Sequence, residues 1–249
     1  MDRGLTPSRE RAQALILAGR VLVNEQKIEK SGASVDSDAA LRILGDEQPY
    51  VSRGGLKLAH ALEHWSIDVR GKTCLDIGAS TGGFTDCLLQ AGAARVIAVD
   101  TGYGQMDAKL RGDSRVRLLE KTNARYLTPG QIWTDEPPAL ISFIAMDVSF
   151  ISATLVLPAV MQCARVSSKD FELVVLVKPQ FEAGRDHVGK GGIVRDPGVQ
   201  QAAVDKVGRV IEQLGGSAMD TIESPILGTE GNREFLFHAR FSADQPPQP

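Results

Sequence analysis

The 249-residue chain is poor in cysteine, histidine and aromatics, and no charge of one sign dominates it. Each scarcity removes an explanation. Cys74, Cys87 and Cys163 share no metal-type spacing, and an odd count makes no disulfide framework. Each sits in an apolar pattern, so buried thiols in a reducing compartment are expected. His60 and His64 stand four apart without a His-Glu-x-x-His signature, which reads as a solvated helix face; no bound metal is expected. The net charge is −3, from 28 basic and 31 acidic residues, so any nucleic-acid surface must come from local patterning. Residues 1–58 carry nine basic against eight acidic side chains and the remainder nineteen against twenty-three, too slight a contrast to assign a partner. Long apolar runs are also missing. Only Ala139–Ala164 approaches one, and its single charge, Asp147, would cost up to ~3 kcal/mol near a bilayer centre. Ser149, Ser152, Thr154, Pro158 and Gln162 break it further, so a buried strand, a polar turn at Asp147 and a core helix account for it better. No secretory leader is visible at the start, and a cytoplasmic location is expected.

What is present is an ordinary globular composition, 43% apolar and 24% charged, in a length that suits one large domain or one large and one small. Its clearest local feature is Thr73–Thr85. Cys74, Leu75 and Ile77 form an apolar strand that runs into a glycine turn. Phe84, Cys87, Leu88 and Ala91 then fall on one helical face. A second strand, Arg95–Val99, ends at Asp100, an acid placed to bond ribose hydroxyls. The glycine spacing is Gly78-x-x-x-Gly82-Gly83, preceded by Asp76, and not the G-x-G-x-x-G of a pyrophosphate site. A negative side chain there suits an amine or a sulfonium better than a phosphate. The pattern resembles motif I of S-adenosylmethionine-dependent methyltransferases; a plain strand-to-helix turn that needs glycine for its backbone is the alternative. The cofactor candidates are Asp76, Gly78, Ser80, Thr81, Gly82, Gly83 and Phe84, with Asp100 and, further on, Asn123 and Asp147.

The front of the chain reads as a small unit, 1–47. Ser8 opens a helix carrying Ala12, Leu15 and Ile16 on one face, and Gly19 stops it. Short strands follow at Arg20–Asn24, Lys27–Ile28 and Leu41–Ile43. The run Ser8-Arg-x-x-Ala-x-x-Leu-Ile-x-x-Gly-x-Val-x-Val-Asn24 resembles the S4 RNA-binding domain, with Met1–Leu5 as the end of a first helix whose earlier turns are missing. The resemblance puts Arg9, Arg11, Arg20, Lys27 and Lys30 where they could meet RNA phosphates; solvated arginines on a small helix-hairpin are the alternative.

A linker, 48–55, leads into a larger unit, 56–242, and 243–249 reads as a disordered, Pro/Gln-rich tail. Lys57 is expected to open a helix through Trp65. Val116–Leu119, Leu140–Met146 and Phe171–Val177 are further strands, Ile151–Arg165 a helix, and Asp196-Pro197 the cap of another that runs to Leu214. Met219–Ile226 and Phe235–Phe241 read as an antiparallel pair. The glycine-rich loop 182–196 offers Arg185, His187, Lys190 and Arg195 to phosphates, as Arg53 does from the linker; an ordinary surface loop is the alternative.

Lys57, Asp147, Lys178 and Glu234 lie in Ser-Arg-Gly-Gly-Leu-Lys-Leu, Met-Asp-Val-Ser-Phe-Ile, Val-Lys-Pro-Gln-Phe-Glu and Gly-Asn-Arg-Glu-Phe. With the glycine turn and the S4-like front, these segments resemble the TlyA family of ribosomal RNA 2′-O-methyltransferases, sometimes labelled hemolysins, over nearly the whole chain. The methyltransferase part is similar to FtsJ-type enzymes, which use a Lys-Asp-Lys-Glu tetrad. The resemblance implies a Rossmann-like, seven-stranded α/β sheet behind a small α+β S4-like domain. It also implies S-adenosyl-L-methionine as cofactor and a cytidine ribose in ribosomal RNA as target.

A ribose hydroxyl is a poor nucleophile and needs in-line approach at close range. A lysine takes its proton only as the neutral amine, a form that a second ammonium nearby and a partly desolvated pocket favour. Lys178 is the expected base, Asp147 and Glu234 hold the two lysines, and Lys57 steadies the ribose oxygen; taken singly, each could be a surface ion pair. No Asn-Pro-Pro-Phe or Asp-Pro-Pro-Tyr segment points to base methylation. A membrane-active protein, or an RNA binder with an idle site, are the competing readings.

Overall fold

The structure is a computed structural model that describes residues 5–6, 8–44, 49–133, 139–228 and 230–243, without the side chains of Arg11 and Arg185. Residues 1–4 of the expected first-helix remnant Met1–Leu5, residues 45–47 at the end of the front unit, linker residue 48 and the tail beyond Ala243 lie outside the described residues. The chain divides into two compact units, Met1–Pro49 and Tyr50–Pro249.

In the first unit, α1 (Arg9–Leu17) precedes β1 (Val21–Val23), β2 (Gln26–Ile28) and β3 (Leu41–Ile43), an antiparallel sheet ordered β2-β1-β3. The helix stops at Gly19, whose φ of +63° suits glycine and against which Lys27 lies so closely that a Cβ would come 2.8 Å from its Cε. Leu15, Leu22 and Ala39 form the small core.

The second unit begins with α2 (Gly54–His64), three residues before the helix expected at Lys57. Gly55 is packed so tightly against Tyr50 that a Cβ would meet its ring at 2.3 Å, so the Gly-Gly pair serves close packing inside a helix, not a free linker. Then follow β4 (Thr73–Ile77), α3 (Gly83–Gln90), β5 (Arg95–Val99), α4 (Ala108–Arg111), β6 (Val116–Leu119), α5 (Pro129–Ile132), β7 (Ile141–Met146), α6 (Ala153–Ser167), β8 (Phe171–Val177), α7 (Pro179–Glu182), α8 (Pro197–Gln213), β9 (Ser217–Glu223) and β10 (Phe235–Phe241). Seven strands form one sheet in the order β6-β5-β4-β7-β8-β10-β9. Strands β4 to β8 pair in parallel, and β10 runs antiparallel between β8 and β9.

Alternation divides each central strand between two cores. Leu75, Ile77, Ile97, Val99, Ile144 and Met146 face a cluster with α6 and α8, whereas Cys74, Val96, Ala98, Phe143 and Ala145 face α2 and α3. The apolar window 139–164 is divided between β7, a loop and α6, which holds Pro158 within it. None of the described helices is long and apolar enough to cross a membrane. Strand order reverses beside β4, where β5 and β7 leave on opposite sides, and in open α/β sheets ligands bind at the carboxyl ends of strands at such a switch point.

Candidate active site

At that switch point β4 turns into α3 through Gly78–Gly82. Gly78 has φ +86°, and a Cβ on it would stand 2.3 Å from the Asp147 carbonyl oxygen, so this glycine lets the loop after β7 lie against the turn. Gly82, at φ +96°, caps α3. Gly83 leaves room for Ser52, whose Oγ would be 2.2 Å from a Cβ there. Beside the turn is a cleft of about 390 Å³ whose lining includes Gly78, Ser80, Asp100, Asn123, Asp147 and Phe150. Five of the cofactor candidates are therefore at its wall. Asp76, Thr81, Gly82, Gly83 and Phe84 are not; Phe84 packs into the α2–α3 core and the glycines shape the backbone. Thr101, Gly102, Gln105 and Thr122, from the loops after β5 and β6, also line the cleft.

Asp100 stands at the rim. Its Oδ2 accepts the Ser80 N–H at 2.8 Å and its Oδ1 accepts the Gly102 N–H at 2.6 Å, which fixes the carboxylate while leaving lone pairs for a ribose hydroxyl. Asp76 is fully buried behind the turn. Thr85 Oγ1 donates to its Oδ2 at 2.6 Å, but its Oδ1 has no hydrogen-bond partner among the described residues. Burial pushes this carboxyl up to about 7; the Thr85 hydroxyl opposes the shift and the Asp147 charge adds to it. A buried acceptor left without a donor is rare in folded proteins and marks this carboxyl, one layer behind the cleft, as more than a packing group.

Two ion pairs occupy the carboxyl edge. Lys178, the residue after β8, brings Nζ to 2.6 Å from Asp147 Oδ1 and donates to Ser149 Oγ at 2.7 Å. The approach to Asp147 is close but lacks hydrogen-bond geometry, so Oδ1 keeps its acceptor capacity. Lys57, in the first turn of α2, brings Nζ to 2.5 Å from Glu234 Oε2, and both side chains are buried. Gly228 makes that possible, since a Cβ there would lie 2.4 Å from Glu234 Oε1. Each acid thus holds one lysine. A buried pair is costly to desolvate and destabilising to break, so the buried Lys57–Glu234 pair beside the half-buried Lys178–Asp147 pair at one edge calls for a purpose other than stability.

Phe150 lies beside Lys178's partners. It is 92% exposed at the cleft mouth, holds φ +64° and faces Phe181 with ring centroids 5.3 Å apart. An exposed phenylalanine in a left-handed conformation is strained, and such strain gathers at functional sites. In the sequence it is one more apolar letter. Asn232 is equally silent there. Its buried amide accepts the Val194 N–H and donates to the Gly192 carbonyl, both at 2.9 Å, which fastens the glycine-rich loop to the segment that carries Glu234.

The RNA candidates belong to both units. Arg9, Lys27, Lys30, Arg53, Lys190 and Arg195 are exposed. Arg20 is half-buried, with Nε donating to the Leu44 carbonyl at 2.8 Å, so it also ties β1 to the end of β3. The side chains of Arg11 and Arg185 are not among those described. His60, His64 and Trp65 form a run of ring contacts that ends with Trp65 stacked on His238.

Comparison with known proteins gives the same division. The FtsJ-like methyltransferase family matches residues 50–241 and the S4 domain matches 2–40. The chain is 45% identical to the 16S/23S rRNA (cytidine-2′-O)-methyltransferase TlyA of Mycobacterium tuberculosis, over 98% of this chain and 88% of that one. It is 42% identical to Hemolysin A of Brachyspira hyodysenteriae over 95% of each. A solved structure of a Streptococcus thermophilus protein described as a hemolysin matches with a TM-score of 0.75 and 42% identity, covering 98% of this chain and 86% of that one. An Aquifex aeolicus SAM-dependent methyltransferase, at 19% identity and TM-score 0.51, shares the fold over 78% of this chain and 94% of that one. The chain belongs to the TlyA group of FtsJ-like methyltransferases, with an S4 domain ahead of the catalytic fold.

Proposed function

We propose that the chain methylates the ribose 2′-hydroxyl of a cytidine in ribosomal RNA, in the cytoplasm, with S-adenosyl-L-methionine as methyl donor. The observation that carries this reading is the pair of lysine–carboxylate contacts at the carboxyl edge of the sheet, next to a cleft with an acid at its rim and a buried acceptor behind it.

The residues suit the cofactor's parts. Asp100, held by two backbone N–H groups, would take the ribose hydroxyls, and Asn123 lines the cleft where an adenine edge would lie. Asp76, with Oδ1 unpaired, would balance positive charge on the amino-acid end. The cofactor supplies an electrophilic methyl group. Lys178, as the neutral amine, would take the 2′-hydroxyl proton as negative charge develops on the ribose oxygen that receives the methyl group, and the donor would leave as the neutral thioether, its sulfur keeping the electron pair of the broken carbon–sulfur bond. Asp147 and Ser149 keep Nζ in place, and Lys57, fixed by Glu234, steadies the developing oxyanion. Phe150 and Phe181 offer an apolar face to the base of an extruded nucleotide. The S4 domain, with Arg9, Arg11, Arg20, Lys27 and Lys30, grips structured RNA through phosphates, and Arg53, Arg185, Lys190 and Arg195 extend that grip.

Single-turnover transfer of labelled methyl to purified ribosomal subunits tests the assignment. Lys178→Ala is expected to lose about 100-fold or more in rate while cofactor affinity changes less than about threefold. Equal rates in the two proteins would remove Lys178 from the reaction.

A further inference from the structure

Contacts at three successive levels join the loop after β7 to the segment after β8. Nearest the sheet is the Asp147–Lys178 ion pair at 2.6 Å. Next is the Phe150–Phe181 ring pair at 5.3 Å. Furthest out is Glu182, the last residue of α7 and only 7% exposed. Its Oε1 accepts the Ala153 N–H at 2.6 Å, and its Oε2 accepts from Ser152 Oγ. Ser152 is the N-cap of α6, so the carboxylate sits on the positive, donor-rich end of a 15-residue helix. Lys206 of α8 completes the cluster, with Nζ 3.2 Å from Glu182 Oε2 and donating to the Glu182 carbonyl at 2.9 Å.

We propose that Glu182 is a positioning residue of the methyl-transfer site: by clamping Ser152 and Ala153 to the β8 segment it fixes the loop that carries Asp147, Ser149 and Phe150 against Lys178. The inference rests on the transferase reading above. Glu182 follows Lys178 by four positions in one strand-end segment, and Ser152 follows Asp147 by five in the other. A cross-link at both ends closes these segments into a ring. Inside that ring Phe150 is held at φ +64°, a conformation a free loop would leave. Glu182 touches none of the reacting atoms, so it acts through the geometry of Lys178 and its partners. An ångström of drift at a proton-transfer site is enough to cost about 100-fold in rate.

Glu182→Gln keeps the volume but places an amide donor against the Ser152 hydroxyl or the Lys206 ammonium. Two readouts are taken on the full chain: single-turnover methyl transfer at saturating S-adenosylmethionine and ribosomal subunits, and amide hydrogen exchange across 148–153. The expected result is a transfer slower by about 10- to 100-fold, cofactor and RNA affinities within about threefold of wild type, and faster exchange at 148–153. Ser152→Ala should show a smaller loss, and Ser152→Ala combined with Glu182→Gln should be no slower than Glu182→Gln alone. A rate per folded molecule within about twofold of wild type overturns the proposal, as does a fall in cofactor affinity that accounts for the whole loss. If the wild type itself transfers no methyl group, the transferase reading falls and exchange decides alone: faster exchange at 148–153 in Glu182→Gln upholds the clamp, and unchanged exchange overturns it.

Discussion

Single side chains show the tension between stability and use most plainly at Asp76. Its folded-state acidity is displaced from 3.8 to about 7, and burial is the main cause. The neutral form is therefore favoured in the fold. Below about pH 4 the carboxyl is protonated whether the chain is folded or not and costs nothing. As pH rises toward 7 the unfolded chain releases the proton and the folded chain does not, so stability falls through this window and stays low above it. A carboxyl so displaced carries on the order of 4 kcal/mol. Asp76→Asn should accordingly raise the melting temperature of the ligand-free protein at about pH 8 and leave it nearly unchanged at about pH 4, while weakening S-adenosylmethionine binding. A variant no more stable than wild type at the higher pH would contradict the assignment of strain to this carboxyl. The candidate site residues stand out in the sequence because they sit in short, distinctive segments: Asp76 before a glycine turn, Asp147 in an otherwise uncharged window, Lys178 before a proline. Phe150, Ser149, Glu182 and Asn232 are not. Their parts depend on which loops cross in space, and neither exposure nor a positive φ leaves a mark on a phenylalanine's letter.

Elements are easier to read than contacts. The strand, turn, helix and strand of 73–99 follow from periodicity and glycine placement, and the parallel strands announce themselves as unbroken apolar runs. Helix α2 is the exception, since a Gly-Gly pair reads as a breaker until Tyr50 is seen packed against Gly55. The short α5 and α7 also escape, each a single turn opened by a proline. Gly78 is where element geometry and chemistry meet. Its positive φ, and the 2.3 Å that would separate a Cβ from the Asp147 carbonyl, leave no room for alanine. Gly78→Ala should cost about 2–4 kcal/mol, read as a fall in melting temperature of roughly 5–15 °C, and should weaken cofactor binding in the same variant. Retained affinity at normal stability would mean that the β4 turn and the β7 loop do not meet as described.

For the molecule as a whole, a net charge of −3 means that RNA must be held by local basic surface. The combined charge reversals Arg9→Glu and Lys27→Glu should weaken binding to ribosomal subunits by more at about 50 mM salt than at about 200 mM, flattening the log–log salt dependence by about one for each phosphate no longer neutralised. Cofactor affinity should stay as it was, because neither residue lies in the methyltransferase unit. An unchanged salt dependence would take these two side chains out of the RNA surface. At the chain's front a helix and three short strands precede the large sheet; for the cleft, Asp76 and Asp100 suggest a ribose-bearing cation, and only the resemblance names it. Whether the edge formed by Lys178–Asp147 and Lys57–Glu234 methylates a ribose is decided most directly by labelled methyl transfer from S-adenosylmethionine to purified ribosomal subunits, followed by alkaline hydrolysis of the RNA. Label is expected at a cytidine whose 3′ linkage resists alkali, and none with Lys178→Ala. Label on a base with every linkage still alkali-labile, or equal label from Lys178→Ala, would show that this edge does not carry out ribose methylation.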